Sequence, residues 1–134
     1  LDIYSLSKNT VWHELSHAID GRLAWDATYR DEALFTEEGW SALNPDGFTY
    51  TGEYGSLGTN IQPEWYSYFI DDYSMINATE DRARIFEYAV EDSGTLFRDA
   101  PGLIAKLQYY SDCIRDCFDT ALWPEITAWE APLH

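Results

Sequence analysis

From Thr10 onward, apolar positions recur at helical spacing: Val11, Leu15, Ala18, Ile19 and Leu23. Side chains three and four apart share one side of a helix, so this run predicts a helix, with Ser7 or Asn9 placed to cap its start. Gly21 either ends that helix or is tolerated near its C-terminus. Before it, Leu1, Ile3, Tyr4 and Leu6 alternate loosely, as a short strand would. Thr36-Glu37-Glu38 reads as a second helix start leading into Trp40 and Leu43, and Asn44-Pro45-Asp46-Gly47 as a turn. Residues 48–51 have the character of a short strand. The glycines at 52, 55 and 58 then suggest an ordered, irregular loop, and so long a connection in a compact domain points to a functional or lid-like role. Residues 65–73 are dense in aromatics and fit either a strand or a short helix. Asn77 or Thr79 caps a helix reaching about Glu91, with the apolar stripe Ala83, Ile85, Phe86, Tyr88, Ala89 and Val90, and Glu80 stands three after Asn77, the spacing of a capping box. Asp99-Ala100-Pro101 opens a last helix with Pro in its first turn. Its apolar face is Leu103, Ile104, Leu107, Tyr110, Ile114 and Phe118, and the tail beyond it brings Trp123 and Trp129 onto the outside of the core. The expectation is one domain over residues 1–134, α+β but mainly α, with a few short strands.

Composition narrows the function. With 46% hydrophobic and 16% aromatic residues the chain can bury a core. Its 24 acidic and 8 basic residues leave a formal charge of −16, which argues against nucleic acid, whose phosphates need Lys and Arg, and disfavours anionic membrane surfaces. Such a charge keeps a protein dispersed, and secondarily favours cationic or neutral substrates. No apolar run approaches the ~18–20 residues of a membrane span. The chain begins at Leu1 rather than Met, so a trimmed N-terminus is expected and the missing start leaves export open. Cys113 and Cys117 are one helical turn apart. No second pair completes a four-ligand structural site, and two free, half-buried thiols are the expectation.

The chemistry is concentrated in His13-Glu14-Leu15-Ser16-His17. Two histidines four apart on a helix place both imidazoles within reach of one ion at about 2.0–2.1 Å from each ring nitrogen. Glu14 points beside that ion, where a carboxylate can take a proton from an activated water. The flanking Thr10, Val11, Leu15, Ser16, Ala18 and Ile19 are uncharged, as a partly buried metal helix requires. Two of the chain's 3 histidines lie here, and the third, His134, sits at the terminus. A catalytic zinc keeps three protein ligands and one open position. An acid on the next good helix is the natural third ligand, and Glu80, Asp81, Glu87 and Glu91 are all candidates.

His13-Glu14-Leu15-Ser16-His17-Ala18-Ile19-Asp20 resembles the His-Glu-x-x-His-Ala-x-Asp run of the anthrax lethal factor-type metallopeptidases, which include the secreted Pro-Pro endopeptidases. The similarity continues downstream. In that family a Tyr precedes the third ligand, a Glu, by seven residues, and Ala and Phe follow three and six later; here the set is Tyr73, Glu80, Ala83 and Phe86. A family segment opening the final helix is similar to Asp99-Ala100-Pro101. The resemblance spans roughly residues 9–23 and 70–118. It implies a zincin-like fold, zinc held by His13, His17 and Glu80, Glu14 as general base, and Tyr73 as the phenol facing the substrate carbonyl. It further implies a peptide or protein substrate, a secreted or cell-surface bacterial location, and a cleft-bordering strand before the metal helix, much of it before Leu1. Arg84 departs from the pattern, since the family often has Glu four after the ligand Glu. Asp20, seven after His13, is a candidate to support the site from behind, or simply a polar residue near the helix end.

The expected activity is therefore zinc-dependent endopeptidase action. Two alternatives differ in class. One is an inactive zincin-like module that recognises protein or glycan, against which the retained Glu14 argues. The other is a zinc-stabilised structural domain, which needs a closed four-ligand site.

Overall fold

In a computed structural model of the chain, the described residues are 8–52, 62–91 and 95–134. The strand expected around Leu1 to Leu6, the cap expected at Ser7 and the loop glycines 55 and 58 lie outside them. The first helix, α1 (Lys8–Tyr29), is longer than its apolar run predicts. Asn9 lies within it, and Gly21 neither ends it nor stands near its end. The buried side of α1 carries Ser16, Ile19, Asp20 and Leu23, while Val11, Leu15 and Trp25 face outward. Half of the inward stripe is polar because this helix brings a polar site, as well as core residues, to its neighbour. A Cβ on Gly21 would meet nothing within 4 Å. Gly21→Ala is therefore expected to stabilise the protein by about 0.5–1 kcal/mol in chemical denaturation, since it removes unfolded-chain freedom without a clash.

Helix α2 (Glu37–Ser41) starts as predicted, with the Thr36 side chain accepting from Gly39 N–H. The following turn closes through Phe48 N–H to Pro45 C=O at 3.1 Å, with Gly47 at φ 82°. The short strand expected over residues 48–51 is not formed, and no strand occurs among the described residues. Thr51 N–H and Gly52 N–H donate to the Met75 and Ile76 carbonyls, and no ladder forms among the described residues. Residues 65–73 resolve into 3₁₀ segments, Pro63–Tyr68 and Asp72–Met75. Pro63 starts the first, and the Asp71 carboxylate caps the second by accepting from Ser74 N–H. The aromatics here build a core extension: Phe48 lies 4.5 Å from Phe69, 5.0 Å from Tyr50 and 5.3 Å from Trp65, centroid to centroid. Tyr66 remains exposed.

Helix α3 (Ala78–Glu91) is the centre of the molecule. It packs on α1, on the Asp72–Met75 segment, on the tail and on α4 (Pro101–Cys117). Ile85, Phe86 and Ala89 from α3 meet Leu103, Leu107, Tyr110 and Ile114 from α4 and Leu23 from α1, all fully buried. Each large side chain contributes roughly 1.5–3 kcal/mol by leaving water. The Pro101 start of α4 is as expected, and its first turn fits only because residue 102 is glycine: a Cβ there would lie 2.5 Å from the Tyr68 ring. The tail ends in a 3₁₀ turn, Ala128–Leu133, which seats Trp129 against Phe86. Arg115 pins that turn through Glu130, and this pairing, with Ser111 and Thr127 donating, holds the Glu130 carboxyl well below the usual range. Cys113 and Cys117 are free, and burial pushes the Cys113 thiol up to about 12, which makes it unreactive. No helix among the described residues is long and apolar enough to cross a membrane.

Candidate metal centre

His13 and His17 project from α1 toward the first turn of α3. Their rings lie 4.8 Å apart, centroid to centroid, edge to face. Asn77 caps α3 by accepting from Glu80 N–H at 2.9 Å. The capping box expected at Asn77 is only half made, because the Glu80 carboxylate turns to the histidines instead. One of its oxygens is 2.9 Å from His13 Nε2, the other 3.1 Å from His17 Nε2. His13, His17 and Glu80 each offer a ligand atom within 4.8 Å of the others.

Of the four acids the sequence leaves open, Glu80 alone faces both imidazoles. Asp81 turns the other way, into a buried pair with Lys106 at 2.8 Å. Glu91 is exposed at the end of α3, where it accepts from Trp12 Nε1. Glu87 takes a different part: its Oε1 is 3.0 Å from His13 Nδ1, on the far side of the ring from Glu80, and its side chain is 2% exposed. The Glu87 hydrogen bond is the largest cause raising the His13 pKa, joined by both carboxylate charges. A carboxylate behind a ligand histidine fixes ring orientation and tautomer. The spacing contains this signal, since seven residues after Glu80 is the same side of α3 two turns on.

Asp20 does not support the site. Burial raises its pKa, the paired Arg82 opposes that, and Arg82 Nε reaches both Asp20 oxygens at 2.8 and 3.0 Å. Arg82 extends on to Glu37 and stacks near Trp40, so Asp20 joins α1 to α3 and α2 below the histidines. Ser16, between the histidines, bonds the buried Tyr110 hydroxyl at 2.8 Å and ties the same stretch of α1 to α4.

Tyr73 stands at the other edge. Its ring centroid is 6.1 Å from that of His13, and it is carried by the capped Asp72–Met75 turn. Glu14 follows His13 on α1 and is exposed. His134 is exposed at the terminus. The residues thus form a layered arrangement: two imidazoles and a carboxylate at the centre, Glu87 behind, and Glu14 and Tyr73 at the margins.

The donor set fits zinc. It is two imidazoles and one carboxylate, the borderline N and O donors that zinc takes, one ligand histidine already has its outer partner, and the ligand atoms sit close enough to share one ion. Comparison of the chain with protein-family models, with curated proteins and with solved structures found no match.

Proposed function

We propose that this chain is a zinc-dependent endopeptidase domain, zincin-like and of the lethal factor type, acting on peptide or protein. One observation carries the reading: a turn-spaced pair of imidazoles on α1 is met by the Glu80 carboxylate of α3 at 2.9 and 3.1 Å, with Glu14 exposed next to His13 in the chain. His13, His17 and Glu80 would hold the metal, which when bound supplies a Lewis acid that lowers the pKa of water toward ~7 and polarises a carbonyl.

The chain's own residues do the rest. Glu14 accepts the proton of the attacking water and passes it to the leaving amine. The Tyr73 hydroxyl donates to the carbonyl oxygen as negative charge gathers there. Glu87 accepts from His13 Nδ1–H and so keeps Nε2 as the ligating nitrogen. Water is the nucleophile, so no side chain becomes covalently attached to substrate.

The test is zinc binding coupled to peptide hydrolysis. Zinc at about a hundred times its Kd is expected to stabilise the wild type by about 2.7 kcal/mol, and Glu80→Ala is expected to lose most of that gain. A chelator should abolish hydrolysis of a mixed peptide library, with activity restored by zinc. The metal-free protein should stay folded, because the Ile85–Leu107–Tyr110 core does not depend on the site. Unfolding on metal removal would instead mark a structural zinc, and zinc binding without hydrolysis of any peptide would mark a binding module.

A further inference from the structure

Arg84 is the residue at which this chain departs from the family it resembles, and its side chain touches both halves of the site. Its Nη1 donates to Glu87 Oε1 at 2.8 Å, the same oxygen that faces His13 Nδ1. Its guanidinium carbon lies 4.4 Å from the centre of the Tyr73 ring. Its Nε lies 3.4 Å from Asp71 Oδ2, while the other Asp71 oxygen caps the turn that carries Tyr73. A planar guanidinium can pair at its edge and stack on its face at the same time, which an ammonium cannot.

From these contacts we infer that Arg84 is a positioning residue that sets His13 and Tyr73 in one register, acting on His13 through Glu87 and on Tyr73 by stacking and through Asp71. The inference rests on the peptidase reading and adds two residues, Arg84 and Glu87, that the motif itself does not contain. Glu87 orients the ligand ring, and Arg84 keeps Glu87 from turning away, because Glu87 has no second anchor as direct as this cation on its own helix. On the opposite side, the stacked guanidinium holds the phenol near the imidazole it must work beside.

The experiment reads zinc affinity by competition with a chromogenic chelator, alongside the unfolding midpoint of the metal-free protein. The full chain is used for wild type, Glu87→Gln, Arg84→Met, Arg84→Lys and the double variant Arg84→Met/Glu87→Gln. Glu87→Gln is expected to weaken zinc by about 10–100-fold. Arg84→Met should weaken it by part of that factor, and the double variant should be no weaker than Glu87→Gln alone, since Arg84 reaches the metal site only through Glu87. Arg84→Lys keeps a cation for Glu87 but loses the stacking plane. It should recover zinc affinity while peptide turnover stays low at unchanged KM. Unaltered zinc affinity in Arg84→Met, wild-type turnover in Arg84→Lys, or fully additive losses in the double variant overturns the inference and leaves the peptidase reading standing. A wild type that takes up no zinc overturns both.

Discussion

Glu14→Gln is expected to lower peptide turnover by about 10²–10⁴-fold while zinc content, fold and stability remain those of the wild type. The substitution keeps the shape of the side chain and removes only its capacity to take a proton. Glu14 is exposed in the second turn of α1, so no buried partner is orphaned by the change. Its neighbours along the helix, His13 and His17, meet Glu80 without its help. A loss of metal together with activity would therefore place Glu14 among the ligands, and full activity in the variant would falsify its assignment as base. Peptide hydrolysis and metal analysis on one preparation separate these outcomes. Wild-type protein that carries zinc and cleaves nothing would turn the reading toward recognition without chemistry.

How much of this was legible from residues alone differs by element. α3 and α4 are amphipathic, with Asn77 and Pro101 at their starts, so period and punctuation agree and both helices lie where the pattern puts them. The end of α1 escapes the pattern. Its buried stripe mixes Ser16 and Asp20 with Ile19 and Leu23, so apolar spacing fades after Gly21 although the helix continues to Tyr29. Residues 48–51 have strand-like character, yet Thr51 and Gly52 donate to the end of a 3₁₀ turn rather than to another strand, and tertiary context wins. In the site, the histidine pair follows from the helical repeat. The choice of Glu80 from four acids follows from the resemblance, and the structure brings that residue to both rings. The sequence points to Asp20 as the support and to Glu87 only as a possible third ligand, although each stands seven residues from a site residue on its own helix. What decides between them is the cation each meets. Arg82 claims Asp20 at 2.8 Å, and Arg84 supports Glu87 without taking it from His13. Partners 62 and 74 residues away in the chain leave no local trace.

Lys106→Met is expected to destabilise the fold by about 3–5 kcal/mol. Lys106 and Asp81 are both 0% exposed and pair at 2.8 Å. The ammonium also donates to the Tyr68 carbonyl at 3.0 Å and lies 3.8 Å from the centre of the Phe69 ring. Asp81 in turn accepts from the Tyr50 hydroxyl at 2.7 Å, and Trp40 Nε1 donates to that hydroxyl. One ion pair thus ties α3 to α4, α2 and the two aromatic segments, directly behind the residue that turns toward the histidines. Burial pushes the Asp81 carboxyl up to about 6 even with Lys106 beside it, so without the lysine a buried carboxylate is left uncompensated. The pH dependence carries the sign. A carboxyl whose folded pKa exceeds its unfolded value of about 3.9 is destabilising when ionised, and the penalty is relieved as pH falls through the folded pKa. In Lys106→Met that pKa lies above the wild-type value of about 6, so the deficit should be largest above the variant's pKa, narrow as pH falls from there to about 6, and level off below, where both folded proteins hold a protonated Asp81. Urea unfolding of the metal-free proteins at pH 8 and pH 5 measures it. The double variant Asp81→Leu/Lys106→Met should recover much of the loss, because neither charge of the pair then remains buried, but not all, since the Tyr50 hydroxyl loses its acceptor and the Tyr68 carbonyl its Lys106 donor. A deficit equal at both pH values, or a double variant worse than the sum of its parts, would show that packing volume and not the buried pair holds α3 in place beneath the site.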